Sequence, residues 1–97
     1  MKLFLFHPLA REEAGHAARH YAEISAALGG RFYDGLDVLI REICTCPEQY
    51  RMFDPPARRH FRRPFPCAVI FIDQPEHVWI VAVMHFKQHP GYWRERI

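Results

Sequence analysis

The segments FPCAVIFID (65–73), QPEH (74–77) and VWIVAVMH (78–85) decide the fold. The two outer segments are rich in β-branched and aromatic residues, and Gln74-Pro75-Glu76-His77 supplies a turn between them, so together they read as a β-hairpin. Their apolar runs, 67–72 and 78–84, are nearly continuous rather than alternating, the pattern of central strands covered on both faces. Upstream, Arg58-Arg59-His60-Phe61-Arg62-Arg63 predicts a further strand over 58–63. The stretch 48–57 contains Pro55-Pro56 and reads as an irregular connection.

The N-terminal half carries the helical period. Leu3 to Phe6 is a short apolar run ended by His7-Pro8, and proline at the first turn of a helix loses no hydrogen bond, so a strand feeds directly into a helix. Ala10, Ala14, Ala17, Tyr21, Ile24 and Leu28 recur every three or four residues and form one stripe, with Arg11, Glu12, Glu13, Arg19 and Glu23 off it. This predicts a helix over 9–28, closed by Gly29-Gly30. Phe32, Leu36, Leu39, Ile40 and Ile43 start a second helical pattern that ends at Pro47. The architecture expected is α+β, in the order β-α-α-β-β-β, with the helical hairpin packed on a mainly antiparallel sheet.

At 97 residues the chain makes one domain, 1–97, with a single core and no interdomain cofactor cleft. Its 49% hydrophobic and 25% charged residues describe a globular protein. The net charge of +2 hides an asymmetry: residues 1–50 carry five Lys/Arg against seven Asp/Glu, and residues 51–97 carry eight against four. Cys44, Cys46 and Cys67 are an odd number with spacing that suits neither a disulfide framework nor a zinc ribbon, and reduced thiols in the cytoplasm are expected. No apolar run approaches the roughly 20 residues of a membrane span, so no membrane association is expected.

Four guanidinium groups in six residues, Arg58, Arg59, Arg62 and Arg63, form the densest chemical feature. Arginine offers a permanently charged planar fork for phosphate or carboxylate, so this strand is a candidate docking ridge for nucleic acid or an acidic partner. The tail adds His85, Lys87, His89, Tyr92, Trp93 and Arg94, and it reads alternatively as a segment that Tyr92 and Trp93 fold back over the sheet while its basic groups stay in water. His and Tyr move protons while Lys and Arg stabilise an anionic phosphorane, the side chains a metal-free ribonuclease needs. The pairs His16/His20 and His85/His89 have the i,i+4 spacing of a zinc site but lack a third ligand, and His16 and His20 read as a solvated helix face. No metal or other cofactor is indicated.

Together Tyr21, Gly29 and Phe32, then Pro47, Arg58-Arg59, Arg63-Pro64-Phe65-Pro66, Val69-Ile70-Phe71, and Ile80 to His85 followed by Pro90-Gly91-Tyr92-Trp93 and Arg96, resemble bacterial type II toxins of the ParE/RelE superfamily. The most specific parts are the Phe-Pro before the buried strand and the His-x-Lys-x-x-Pro-x-Tyr-Trp-x-x-Arg ending. The resemblance implies the fold derived above and a cognate antitoxin whose extended C-terminal segment wraps the toxin, with operator DNA bound only through that antitoxin. It also implies one of two targets. RelE-like members cut mRNA on the ribosome with Arg, Lys and Tyr, whereas ParE-like members inhibit DNA gyrase.

Where the nuclease branch commonly carries a catalytic Arg on the third strand, this sequence has Ala68, which favours the ParE-like branch. Tyr92 aligns with the terminal catalytic Tyr of the nucleases, with His85 and Lys87 near their basic positions. Cys67 and Gln88 also depart from common family residues. The expectation is a growth-inhibiting toxin that poisons gyrase by binding through Arg58, Arg59, Arg62, Arg63, Lys87, His89, Trp93 and Arg94. The alternatives are a ribosome-dependent endoribonuclease using His85, Lys87 and Tyr92, and an inactive homologue that acts only by binding antitoxin.

Overall fold

In the computed structural model, which describes residues 1–97, the hairpin of β4 (Cys67–Asp73) and β5 (His77–His85) lies inside a five-stranded sheet. On its β5 side β1 (Leu3–Phe6) runs parallel, and on its β4 side β3 (Ala57–Phe61) runs antiparallel, followed at the far edge by β2 (Met52–Asp54). Helices α1 (Pro8–Ile24) and α2 (Ala26–Thr45) pack on each other, and α1 also packs on β5. The expected α+β order is present with one addition, β2, in the stretch that reads as an irregular connection. This strand has only three residues and its register on β3 shifts between Met52 and Asp54, so it leaves no period-2 signal.

Both faces of the hairpin are covered. On the helical side Val69, Phe71, Val78, Ile80 and Val83 meet Phe32, Leu36, Ile40 and Ile43 of α2 and the alanine stripe Ala10, Ala14 and Ala18 of α1. On the other side Ala57, Ala68, Ile70, Val81, Ala82 and Met84 lie with Trp93. Val81 and Ala82 are consecutive yet belong to the same cluster. A bulge explains this, because Ile70 pairs with Ala82 and Phe71 with Ile80, leaving Val81 as the extra residue. The unbroken apolar run in the sequence thus has two causes, burial of both sheet faces and a bulge within β5.

The helical hairpin turns earlier than its glycines suggest. Helix α1 ends at Ile24, and Ser25 serves both helices: its extended backbone donates N–H to Tyr21 O at 3.0 Å, and its Oγ accepts from Leu28 N at 3.0 Å. Serine N-cap chemistry wins over the glycine pair, which lies inside the first turns of α2. Gly29 is there for space, since a methyl group on it would sit 2.8 Å from Ala22 Cβ, whereas one on Gly30 meets nothing within 4 Å. The two glycines therefore respond oppositely to alanine. Gly29→Ala should destabilise by about 1–3 kcal/mol through the forced separation of the helices, and Gly30→Ala should stabilise by about 0.5–1 kcal/mol through helix propensity. Urea unfolding of both variants checks this, and equal signs would refute the close-approach account.

Candidate functional site

The basic segment does not form a uniform ridge. Strand β3 ends at Phe61, so Arg62 and Arg63 lie in the following turn. Arg58 is withdrawn from any docking role: its Nη1 donates to Glu48 O at 3.2 Å and Tyr50 O at 2.7 Å, and its buried Nε has no partner. This guanidinium fastens the 3₁₀ turn Pro47–Gln49 to the sheet. His60 is also turned inward, with Nε2 3.0 Å from Glu42 Oε1 and its ring against Tyr50 at 4.3 Å. Arg59 lies over the Phe53 ring at 4.9 Å, and Arg62 reaches Glu42 Oε2 at 3.3 Å.

Trp93, expected on the docking surface, is instead fully buried at 0% exposure, because the tail folds back over the sheet as an apolar lid. Arg94 is paired with Asp54 Oδ2 at 2.7 Å, which ties the tail to β2. What remains free at the opposite end of β3 and β5 is a compact set. Phe61 and Phe86 are 48% and 49% exposed and meet edge to face at 5.4 Å. Arg63, Lys87 and His89 are exposed and form no ion pair. The turn that presents Lys87 is fixed by its own residues: His85 Nδ1 accepts from Lys87 N at 3.0 Å, and Gln88 Oε1 accepts from His85 N at 2.9 Å. Exposed aromatic rings beside unpaired cations make a surface suited to macromolecular docking.

Tyr92 belongs to a different structure, one without any local signal in the sequence. Strand β1 stops pairing with β5 at Ile80, whose carbonyl accepts from His7 N, and Pro8 then starts α1. Past that point Val81 O and Val83 N–H on the β5 edge need partners. Glu13 Oε1 accepts from Val83 N at 3.0 Å, and Arg96 Nη1 donates to Val81 O at 3.0 Å. The two side chains meet each other in a bidentate pair, Nη1 to Oε1 at 2.9 Å and Nη2 to Oε2 at 3.0 Å, with 19% of the Glu13 and 11% of the Arg96 side chain exposed. Tyr92 OH donates to Glu13 Oε2 at 2.6 Å, and the Arg96 guanidinium lies over the Tyr92 ring at 5.0 Å.

This latch joins α1, β5 and the tail. Burial, followed by the Glu13 hydrogen bond and charge, pushes the Tyr92 phenol well above its ordinary range, so the hydroxyl keeps its proton. Burial and the Glu13 carboxylate also push the Cys67 thiol up, and burial pushes up Cys44, which leaves both unreactive. No helix is long and apolar enough to cross a membrane.

No family model and no curated protein matches this sequence. A solved structure described as the chromosomal ParDE TA system from P. aeruginosa does match, with a TM-score of 0.76 at 11% sequence identity, over 90% of this chain and 98% of that one. The two helices packed on a five-stranded mixed sheet are therefore an α+β fold shared with a chain of that ParDE structure.

Proposed function

We propose that this chain is the toxin of a type II toxin–antitoxin system, a ParE-like member of the ParE/RelE superfamily that acts in the cytoplasm by binding and poisoning DNA gyrase. The observation that carries this reading is the fold shared along nearly the whole chain with a ParDE system structure, joined to the tail motif noted in the sequence. Poisoning by docking is favoured over ribosome-dependent cleavage because the terminal tyrosine is committed elsewhere and the third-strand arginine is absent. Tyr92 directs its proton into Glu13, and Ala68 is buried on the side covered by Trp93. Arg63, Lys87 and His89 around the Phe61–Phe86 pair form the proposed docking surface, with Arg62 held beside it by Glu42, since hot spots pair aromatic anchors with a charged rim.

A cognate antitoxin also fits the exposed apolar groups along β1. Leu3 and Leu5 are 77% and 56% exposed on an edge strand, an arrangement that invites cover by another chain. An acidic extended segment that folds on binding would shield these groups and neutralise the basic surface.

The test is gyrase supercoiling with purified protein. Inhibition is expected at micromolar concentration. The double variants Arg63→Glu/Lys87→Glu and Phe61→Ala/Phe86→Ala should each weaken it by at least about tenfold, because charge complementarity and aromatic anchors dominate docking energy. Their melting temperatures should stay near wild type, as all four side chains are exposed. Untouched supercoiling together with codon-positioned mRNA cuts on induction would move the target to the ribosome. Growth unaffected by expression without antitoxin would mark an inactive homologue.

A further inference from the structure

An open groove of about 1000 Å³ runs between α1 and the C-terminal end of β5, and His85 and Gln88 separate it from the neighbouring Phe61–Phe86 surface. Among its charged lining groups Glu13 and Arg96 neutralise each other, which leaves Arg11 and Arg19 against Glu12. His16 and His20 on α1 and His85 at the end of β5 line it as well, and since His85 Nδ1 accepts from Lys87 N, its Nε2–H is left as a donor. Arg19 is exposed and makes neither an ion pair nor a side-chain hydrogen bond.

Gly15 supplies an independent observation. A glycine inside a helix costs stability relative to alanine, and this one is outside both core clusters. Arg19 lies against it one turn on, with Nη1 3.3 Å from where a methyl group would sit, a contact that the flexible side chain relieves by a small shift. The guanidinium thus folds back along the helix on the groove side. Leu9 and Tyr21 give the groove an apolar wall, and its size is at the upper end of the roughly 300–1,000 Å³ typical of small-molecule sites.

We propose that this groove binds a small molecule carrying a terminal phosphate, with Arg19 as the phosphate fork, His16, His20 and His85 as ring N–H donors beside it, and the apolar wall receiving the rest of the ligand. A planar guanidinium matches phosphate geometry with two parallel hydrogen bonds. The inference is separable from the toxin reading through Arg19, which is not among the docking residues, although His85 borders both surfaces.

Titration of the full chain with ADP, followed by calorimetry and by NMR of the histidine rings, tests it. ADP should bind in the submillimolar range or tighter, and Arg19→Gln should weaken binding by about tenfold, the loss of one charge-assisted bidentate contact. Saturating ADP should raise the titration midpoints of His16 and His20, as a bound anion favours imidazolium. Absence of binding at millimolar ADP, an unchanged affinity in Arg19→Gln, or unmoved histidine midpoints would each overturn the proposal. So would tighter, Arg19-dependent binding of a single-stranded DNA oligonucleotide, which would make the groove a nucleic-acid site.

Discussion

Trp93→Ala should lower folding stability by about 3–5 kcal/mol, the range for emptying a fully buried large aromatic site. For a domain of this size that corresponds to a melting temperature lower by roughly 15–30 °C. The indole is wholly buried, with Phe53 5.9 Å away, and it covers Ala57, Ala68, Ile70 and Val81. Its Nε1 has no hydrogen-bond partner, so truncation forfeits no polar contact and the loss is one of packing and cavity. Trp93→Phe therefore serves as the discriminating variant. It keeps an aromatic ring and removes an unpaired N–H, and it should cost less than half as much as Trp93→Ala. Thermal and urea unfolding monitored by far-UV circular dichroism read both. A shift below about 5 °C for Trp93→Ala would contradict a buried role for this residue, given the scaling of melting temperature with stability.

The same residue shows where sequence reading reaches its limit. A tryptophan in a tail of Lys, Arg, His and Gln reads either as a surface anchor or as a ring folded back over the sheet, and the choice is not local, because the apolar groove that receives it is assembled from β3, β4 and β5 and exists only after folding. The central hairpin is legible for the opposite reason, as its signal lies within each strand: β-branched residues, apolar continuity and a proline-containing turn. Helix existence is legible from periodicity, but the break at Ser25 is not, since Gly29-Gly30 offers a stronger local stop signal and only the 2.8 Å approach to Ala22 reveals its purpose. The arginine segment is legible as charge and not as surface. Whether a guanidinium is free depends on Glu42, Glu48, Tyr50 and Phe53, which the fold brings to it from α2 and the segment that follows.

Glu13→Ala should destabilise the protein by about 3–5 kcal/mol, because removing one partner of a buried pair strands the other. Arg96 would keep its charge with 11% of its side chain exposed, and Tyr92 OH and Val83 N–H would lose their acceptor. No local pattern flags this carboxylate, which sits off the apolar stripe while its partners lie 70 to 83 positions along the chain. Replacing Arg96 by Met separates loss of a pair from stranding of a charge. Arg96→Met alone leaves Glu13 with Tyr92 and Val83 as donors, and the double variant should be less destabilised than the sum of the singles by about 1–3 kcal/mol, the coupling expected of residues in one network. Strict additivity in unfolding experiments would reduce the latch to independent contacts.

The latch also predicts a dependence on pH. Tyr92 titrates above its unfolded value near 10, through burial first and Glu13 second. The folded state then holds more protons than the unfolded state at alkaline pH, so stability is full below pH 10 and falls as pH rises beyond it. Tyr21, Tyr50, Cys44 and Cys67 are raised by burial in the same sense, the thiols acting from lower pH, so the wild-type slope alone does not isolate Tyr92. Its contribution is the difference between wild type and Tyr92→Phe. The phenylalanine variant should be less stable at pH 7, where the hydrogen bond to Glu13 is lost, and should lose less stability than wild type between pH 9 and 11. Parallel curves over that interval would mean that Glu13 does not hold the Tyr92 proton.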